Sequence, residues 1–100
     1  MGPYTTLLGA IISVGLLVSP AAAATRLGGL DMARACRDQY ADINIQISQR
    51  GDTCNDWKCR NARTGEYKPI DMNAACGRQY GGNAYGLCYN GVFDWACYRN

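Results

Sequence analysis

An eleven-residue phrase occurs twice in this chain and carries a cysteine at the same point of each copy. The first copy spans Leu30–Tyr40 (LDMARACRDQY) and the second spans Ile70–Tyr80 (IDMNAACGRQY), and six positions are identical. Each copy is followed by an Asp-Trp-x-Cys phrase, DWKC and then DWAC. A chain that repeats both phrases is constrained to fold as two similar modules, for which we predict residues 30–69 and 70–100.

The first 24 residues have the composition of a secretory signal peptide. They contain no Asp, Glu, Lys or Arg, and an apolar run over residues 7–18 leads to alanines at positions 22–24. Such a run is shorter than the roughly 20 residues that span a bilayer, and small residues are typical of a signal-peptidase site. We predict a signal peptide at 1–24, a single mature domain at 25–100 and a secreted protein. An uncleaved N-terminal anchor is the alternative.

All six cysteines lie after residue 24, and an even cysteine count in a short exported chain is typical of a disulfide framework. Six cysteines allow fifteen pairings. If the two copies fold alike, each joins its helix cysteine to the cysteine of its Asp-Trp-x-Cys phrase, and the two cysteines without a counterpart join the modules. The predicted disulfides are Cys36–Cys59, Cys76–Cys97 and Cys54–Cys88.

Each repeated phrase has the pattern of a short amphipathic helix. Asp31 and Asp71 are suited to cap the helix N-termini, and the residues before them, Leu30 and Ile70, are placed to pack back onto the first turn. Within each phrase the apolar residues recur at i, i+3, i+4 and i+8, with the cysteine among them. Each cysteine is therefore predicted on the buried face of its helix.

A β-hairpin is predicted after each helix. Isoleucines alternate with polar residues over 43–48, which is typical of a half-buried strand. In the second module Asn90-Gly91 predicts a tight two-residue hairpin turn. The predicted fold class is therefore α+β: a small disulfide-rich domain of two pseudo-repeated helix-plus-β-hairpin modules.

The Ala-Cys-x-x-Gln-Tyr helix, followed by an aromatic-x-Cys phrase, resembles small tandem cysteine-rich modules of bacterial exported proteins, particularly actinobacterial ones. The resemblance covers nearly all of residues 25–100. It implies an exported accessory module that occurs in tandem or beside other domains. It assigns no activity, and no functional residue is carried over from it.

The residue inventory argues against catalysis. The chain has no histidine, and Ser48 is the only serine after residue 24, so the commonest general base is missing. Asp56 and Asp94, each beside a tryptophan, are candidates for a glycosidase-like carboxylate pair, but an aspartate so placed commonly accepts backbone hydrogen bonds in a turn. We predict no enzyme activity, no catalytic residue, no metal site and no cofactor.

The composition fits a binding function better than catalysis. Residues 25–100 hold six Tyr, two Trp and one Phe, whose apolar rings and polar tips suit sugar rings or partner surfaces. We predict a secreted non-catalytic binding module for an extracellular glycan or protein, with Tyr85 and Tyr89 on one strand face. Trp57 and Trp95 are expected in the core. The predicted ligand-binding residues are Tyr85, Tyr89, Phe93, Tyr98, Asp56 and Asp94.

Two other functions stay open at the level of sequence. One is a secreted protease inhibitor or toxin-like effector, in which Arg63-Thr64 would mimic a scissile bond; the other is a small carboxylate-based hydrolase. The net charge of +2 is too small, and too dispersed, for nucleic acid or an anionic membrane to be the main partner. We predict neither as a partner once the signal peptide is removed.

Overall fold

The computed structural model describes residues 23–100, so the predicted signal peptide lies outside the described residues except for its last two alanines. This part of the chain is a small α+β structure with two helices and two three-stranded antiparallel sheets. Its elements in chain order are strand β1 (Thr25–Gly29), helix α1 (Met32–Tyr40), strands β2 (Ile45–Gln49), β3 (Trp57–Asn61) and β4 (Tyr67–Lys68), helix α2 (Met72–Tyr80), strand β5 (Tyr85–Leu87), a 3₁₀ turn (Val92–Asp94) and strand β6 (Ala96–Arg99).

The strands divide into a first sheet, in the order β2-β3-β4, and a second sheet, in the order β1-β6-β5. Helix α1 is bound to the first sheet and α2 to the second by disulfides. We refer to these two units as the first half and the second half. Neither helix within residues 23–100 has the length and apolar composition of a membrane-spanning segment.

The two helices begin in the same way. The carboxylate of Asp31 accepts a hydrogen bond from Arg34 N, and that of Asp71 accepts one from Ala74 N, both at 3.0 Å. Each aspartate therefore satisfies a backbone N–H that the first helical turn leaves without a partner. Both predicted N-caps are present.

The two helices end differently. Gly81 follows α2 with φ of 85°, whereas Ala41 follows α1 with φ of 48° and ψ of 40°. In each case the backbone N–H of the cap reaches back to the helix, to Gly77 O or to Arg37 O. Ala41 therefore has the left-handed helical conformation, which carries a steric cost for alanine, whereas Gly81 combines a positive φ with an extended ψ of 168° that glycine adopts freely.

The three disulfides have the pairing that the repeated phrases predict, and the described chain contains no free cysteine. Two of them join a helix to a strand, and their sulfurs are fully buried. Each forms the centre of a small core, with Ile45 packed beside one and Ala84 beside the other. Because few large aliphatic side chains are available, the disulfides themselves supply much of the buried bulk. The third, Cys54–Cys88, links the two halves.

Strand β1 lies outside both predicted modules and completes the second sheet. It pairs antiparallel with β6, with Thr25 opposite Arg99 and Gly29 opposite Ala96, so that β6 is the central strand. Strand β4, which comes just before α2, completes the first sheet in the same manner by pairing with β3. Each half therefore contains a third strand in addition to the predicted hairpin, and that strand precedes a helix of the other half.

Leu30 and Ile70 also pack in the half opposite to that of the helix they precede. The sequence pattern places each on the first turn of its own helix, but Leu30 packs on the core around Cys76–Cys97 and Ile70 on the core around Cys36–Cys59. Each helix is thus preceded by an apolar residue that belongs to the core of the other half. Their burial contributes to holding the halves together.

The two-residue hairpin turn predicted at Asn90-Gly91 is wrong. Strands β5 and β6 are separated by eight residues, 88–95, which include the 3₁₀ turn. Gly91 serves another purpose: its φ is 118°, and a Cβ at this position would come within 2.8 Å of Asp52 O. The glycine allows the loop to approach the first half closely enough for Val92 N to donate to Asp52 O at 2.9 Å.

Candidate functional site: a tyrosine face on the second sheet

Strand β6 directs alternate side chains to opposite sides of the second sheet. The Cys97 side chain is buried toward α2 through its disulfide, so Tyr98 points to the outer side. Tyr85 on β5 and Arg26 on β1 are the cross-strand partners of Tyr98. These three side chains therefore form one row on the outer side of the sheet.

Three tyrosine rings meet on that side. The Tyr85 and Tyr98 ring centroids are 6.3 Å apart with planes inclined by 27°, and the Tyr89 ring contacts Tyr98 edge-on at 6.4 Å. Tyr89 is 66% exposed. We term Tyr85, Tyr89 and Tyr98 the tyrosine face. Tyr89 lies in the loop beyond β5, so the loop conformation, and not the predicted strand alternation, brings it to this face.

Polar groups border the tyrosine face and fix its geometry. The Tyr85 hydroxyl lies 2.7 Å from Asn100 Oδ1, to which it donates. The Asp94 carboxylate accepts hydrogen bonds from Tyr89 N at 2.8 Å and Asn90 N at 3.0 Å, which sets the path of the loop that carries Tyr89. Aromatic rings with directional hydrogen-bonding groups at their edges are the usual lining of a recognition site.

Phe93 has a different environment from the three tyrosines. Its ring is 79% exposed and contacts Trp57 edge-on at a centroid distance of 6.2 Å. It lines an open depression of about 430 Å³ together with Asp52, Asn90, Val92 and Asp94. The structure therefore groups three of the four predicted aromatic residues and places Phe93 beside the first half.

Asp56 and Asp94 are both engaged in loop structure. The Asp56 carboxylate accepts hydrogen bonds from Thr53 N at 2.7 Å and Thr53 Oγ1 at 2.8 Å. These two bonds, with smaller effects from the positive charges of Lys58 and Arg50, hold the pKa of Asp56 below its usual value. Asp94 has the equivalent role in its own loop. The turn-stabilising role, which was the alternative to a catalytic pair, accounts for both carboxylates.

The two tryptophans join the halves to each other. Trp57 Nε1 donates to Val92 O at 2.6 Å, and Trp95 Nε1 donates to Cys54 O at 2.8 Å. Both indoles are half-buried, and together they line two clefts of about 210 and 150 Å³. Their position is thus at the junction of the halves.

The Arg63-Thr64 bond lies in a closed turn. Arg63 N and Thr64 N both donate to Asn61 Oδ1, at 2.9 and 3.1 Å, and Gly65 N donates to Asn61 O. Asn61 is buried. A protease takes up its substrate in extended form, whereas this segment is held as a tight turn by a buried side chain, so nothing in its geometry favours the inhibitor alternative.

The residues that sequence reasoning missed are those brought in by β1. Arg26 stands beside Tyr98 only because the two ends of the domain pair with each other, and no local motif signals this pairing. Residues 23–100 contain no cluster of three or more His, Cys, Asp or Glu arranged to hold a metal ion. The chain matches no protein-family model, no curated protein and no solved structure.

Proposed function

We propose that this protein is an exported, non-catalytic module that binds an extracellular glycan through the tyrosine face. The observation that carries the proposal is the meeting of three tyrosine rings at Tyr98, on the side of the second sheet opposite to the side that α2 covers. Apolar ring faces pack against the C–H faces of sugars, and the adjoining hydroxyl, amide and guanidinium groups supply directional hydrogen bonds.

The three disulfides support an oxidising destination, in agreement with export. Catalysis is not part of the proposal, because both aspartates of the candidate pair are occupied with loop N–H groups. A rigid, disulfide-held surface is instead suited to binding, since little conformational entropy is lost when its ligand docks.

We also propose that the two halves are copies of one ancestral module, and that only the second carries the glycan site. The helices have equivalent bounds and N-caps, and each cysteine strand contributes one disulfide. However, Tyr98 follows Cys97 where Arg60 follows Cys59, so the first half has no tyrosine at this position. The expected stoichiometry is therefore one glycan site per chain.

The proposal is tested by retention of the oxidised protein on insoluble cell-wall polysaccharides, with Tyr89→Ala as the main variant. Tyr89 is mostly exposed, so its removal should leave thermal stability unchanged. We expect at least about tenfold weaker retention, because the exposed ring would lose its contact with the sugar. Ile43→Ala is the matched control, since Ile43 is 97% exposed and lies on a loop outside the second sheet.

Equal retention of Tyr89→Ala and the parent protein would contradict the tyrosine face as the binding site. Capture of a culture-supernatant protein, with no polysaccharide retained and with the same dependence on Tyr89, would replace the glycan by a protein partner. Hydrolysis of the bound polysaccharide that is lost in Asp56→Asn or Asp94→Asn would contradict the non-catalytic part of the proposal.

A further inference from the structure

The outer side of the first sheet is basic where that of the second sheet is aromatic. Arg60 occupies the central strand, with Gln46 and Tyr67 as its cross-strand partners. Lys58 lies two residues earlier on the same strand, and Arg50 directly follows β2 with the same side-chain parity as Gln46. We term Arg50, Lys58 and Arg60 the basic face.

The two arginines of the basic face are held in place by one aromatic ring. The Arg50 guanidinium lies 3.8 Å from the Tyr67 ring centroid, and that of Arg60 lies 5.8 Å from the same centroid. Both distances are within the range of a cation–π interaction, which holds a guanidinium without using its N–H donors. The two guanidinium groups are therefore held in position, and their N–H donors stay available to bind a ligand.

The basic face is not neutralised by ion pairs. The ion pairs formed within residues 23–100 are Arg34–Asp38, Arg78–Asp38 and Lys68–Glu66, all of them elsewhere. The acidic neighbour of this face is Asp56, which is near enough for Lys58 and Arg50 to lower its pKa, but its carboxylate is bonded to Thr53. Three positive charges therefore lie near a single carboxylate, that of Asp56, and the face keeps a net positive charge.

We infer that the basic face binds acidic groups of the glycan, that is, the carboxylates or sulfates of an anionic polysaccharide. The inference rests on the proposed function, because it specifies the charge of the same ligand class and a second surface that contacts it. An arginine fork is matched in shape to a carboxylate or sulfate and binds it through paired hydrogen bonds. Charge complementarity therefore selects an anionic sugar polymer over a neutral one.

Two other polyanions fit this face less well. Single-stranded nucleic acid requires open aromatic rings for its bases, but one face of Tyr67 is covered by Arg50. Binding to an anionic membrane takes a larger cluster of cations than these three, or apolar side chains beside the cations. Of the four large apolar or aromatic side chains exposed within residues 23–100, only Tyr67 lies on the basic face. An anionic glycan needs neither feature, since its sugars are polar and its charges are spaced along the chain.

The test compares retention on an insoluble uronic-acid polysaccharide with retention on an insoluble neutral glucan, at low and high salt. The variant is Arg50→Gln/Arg60→Gln, and the control with equal charge loss is Arg34→Gln/Arg37→Gln, on the exposed side of α1. We expect the parent protein to prefer the acidic polymer and to lose that preference at high salt. The Arg50→Gln/Arg60→Gln variant should bind the acidic polymer at least about tenfold more weakly, while the control should not.

The outcomes separate this inference from the proposed function. Tyr89→Ala should weaken retention on both polymers, whereas Arg50→Gln/Arg60→Gln should affect only the acidic one. Equal loss in both arginine variants, or equal retention of the two polymers by the parent protein, overturns the basic face. Tighter binding of anionic vesicles or single-stranded DNA through Arg50 and Arg60 overturns the glycan assignment. If Tyr89→Ala is retained on both polymers as well as the parent protein is, the proposed function alone is overturned.

Discussion

The side-chain oxygen of Gln79, near the end of α2, accepts a hydrogen bond at 2.9 Å from the backbone N–H of Asp31, the N-cap of α1. Gln39 makes the same contact with the N–H of Asp71, at 2.8 Å. The glutamine near the end of each repeated phrase thus binds the aspartate near the start of the other phrase. Because the contact is reciprocal, the repeated phrase ties each helix end to the start of the other helix.

The tyrosines of the two phrases take part in the same arrangement. The Tyr80 hydroxyl donates to Gly29 O at 2.7 Å, and the Tyr40 hydroxyl donates to Pro69 O. Gln79 Nε2 adds a further bond to Gly29 O at 3.0 Å. Each helix end therefore holds the backbone that leads into the other helix, and stability depends on both copies.

Removal of the Gln79 side chain should weaken the junction between the halves. Gln79→Ala loses two hydrogen bonds to the segment before α1, so we expect a loss of about 1–2 kcal/mol in the free energy of unfolding. Denaturant unfolding of the oxidised protein measures it. Gln46→Ala, at an exposed position of β2, is the control and should change stability by less than about 0.5 kcal/mol. Equal stability of the two variants would contradict the role of Gln79.

The left-handed cap at Ala41 predicts a stabilising substitution. Ala41→Gly relieves the steric cost of φ near 48°, and we expect a gain of about 0.5–1 kcal/mol in the free energy of unfolding. The reverse change at the equivalent position, Gly81→Ala, should be destabilising because φ is 85° there. Urea midpoints of the two variants check both signs, and a loss of stability in Ala41→Gly would show that the cap is not strained.

Asp56 predicts a pH dependence of stability. Its folded-state pKa is lowered, chiefly by the backbone and hydroxyl hydrogen bonds from Thr53, so its carboxylate stabilises the fold above the unfolded pKa. This stabilisation is lost as the pH falls through the folded pKa. We expect the melting temperature of the parent protein to exceed that of Asp56→Asn near neutral pH, with a gap that closes in acid. A gap that is the same in acid and at neutral pH would contradict this role of the Asp56 carboxylate.

The Cys54–Cys88 disulfide should carry much of the cohesion between the halves. It closes a separation of 34 residues, and its removal in Cys54→Ala/Cys88→Ala should cost about 3–4 kcal/mol in the chain-entropy view of disulfides. Non-reducing peptide mapping should still find Cys36–Cys59 and Cys76–Cys97, because each lies within one half. Reshuffled pairs in this variant would mean that the halves do not form their own disulfides independently.

The candidate site could be predicted only in part. Tyr85 and Tyr98 fall on strands that local patterns indicate, and their meeting follows from strand pairing. Tyr89 reaches Tyr98 through a loop whose path depends on Asp94 and on the contact of Gly91 with Asp52. The basic face was not predicted as a site at all, since Arg50 and Arg60 are joined through Tyr67, on a third strand.

Features that depend on neighbours along the chain can be predicted from local sequence patterns. The Asp31 and Asp71 caps, the buried helix cysteines and, through the duplication, the cysteine pairing all follow from short-range spacing. The segments that complete each sheet are known only from the folded arrangement. Strand β1 pairs with β6, and Leu30 and Ile70 pack across the halves. A strand edge accepts any segment that pairs its backbone hydrogen bonds, and an apolar cleft accepts any segment that buries apolar area. These contacts join residues that are far apart in the chain, so no local sequence pattern predicts them.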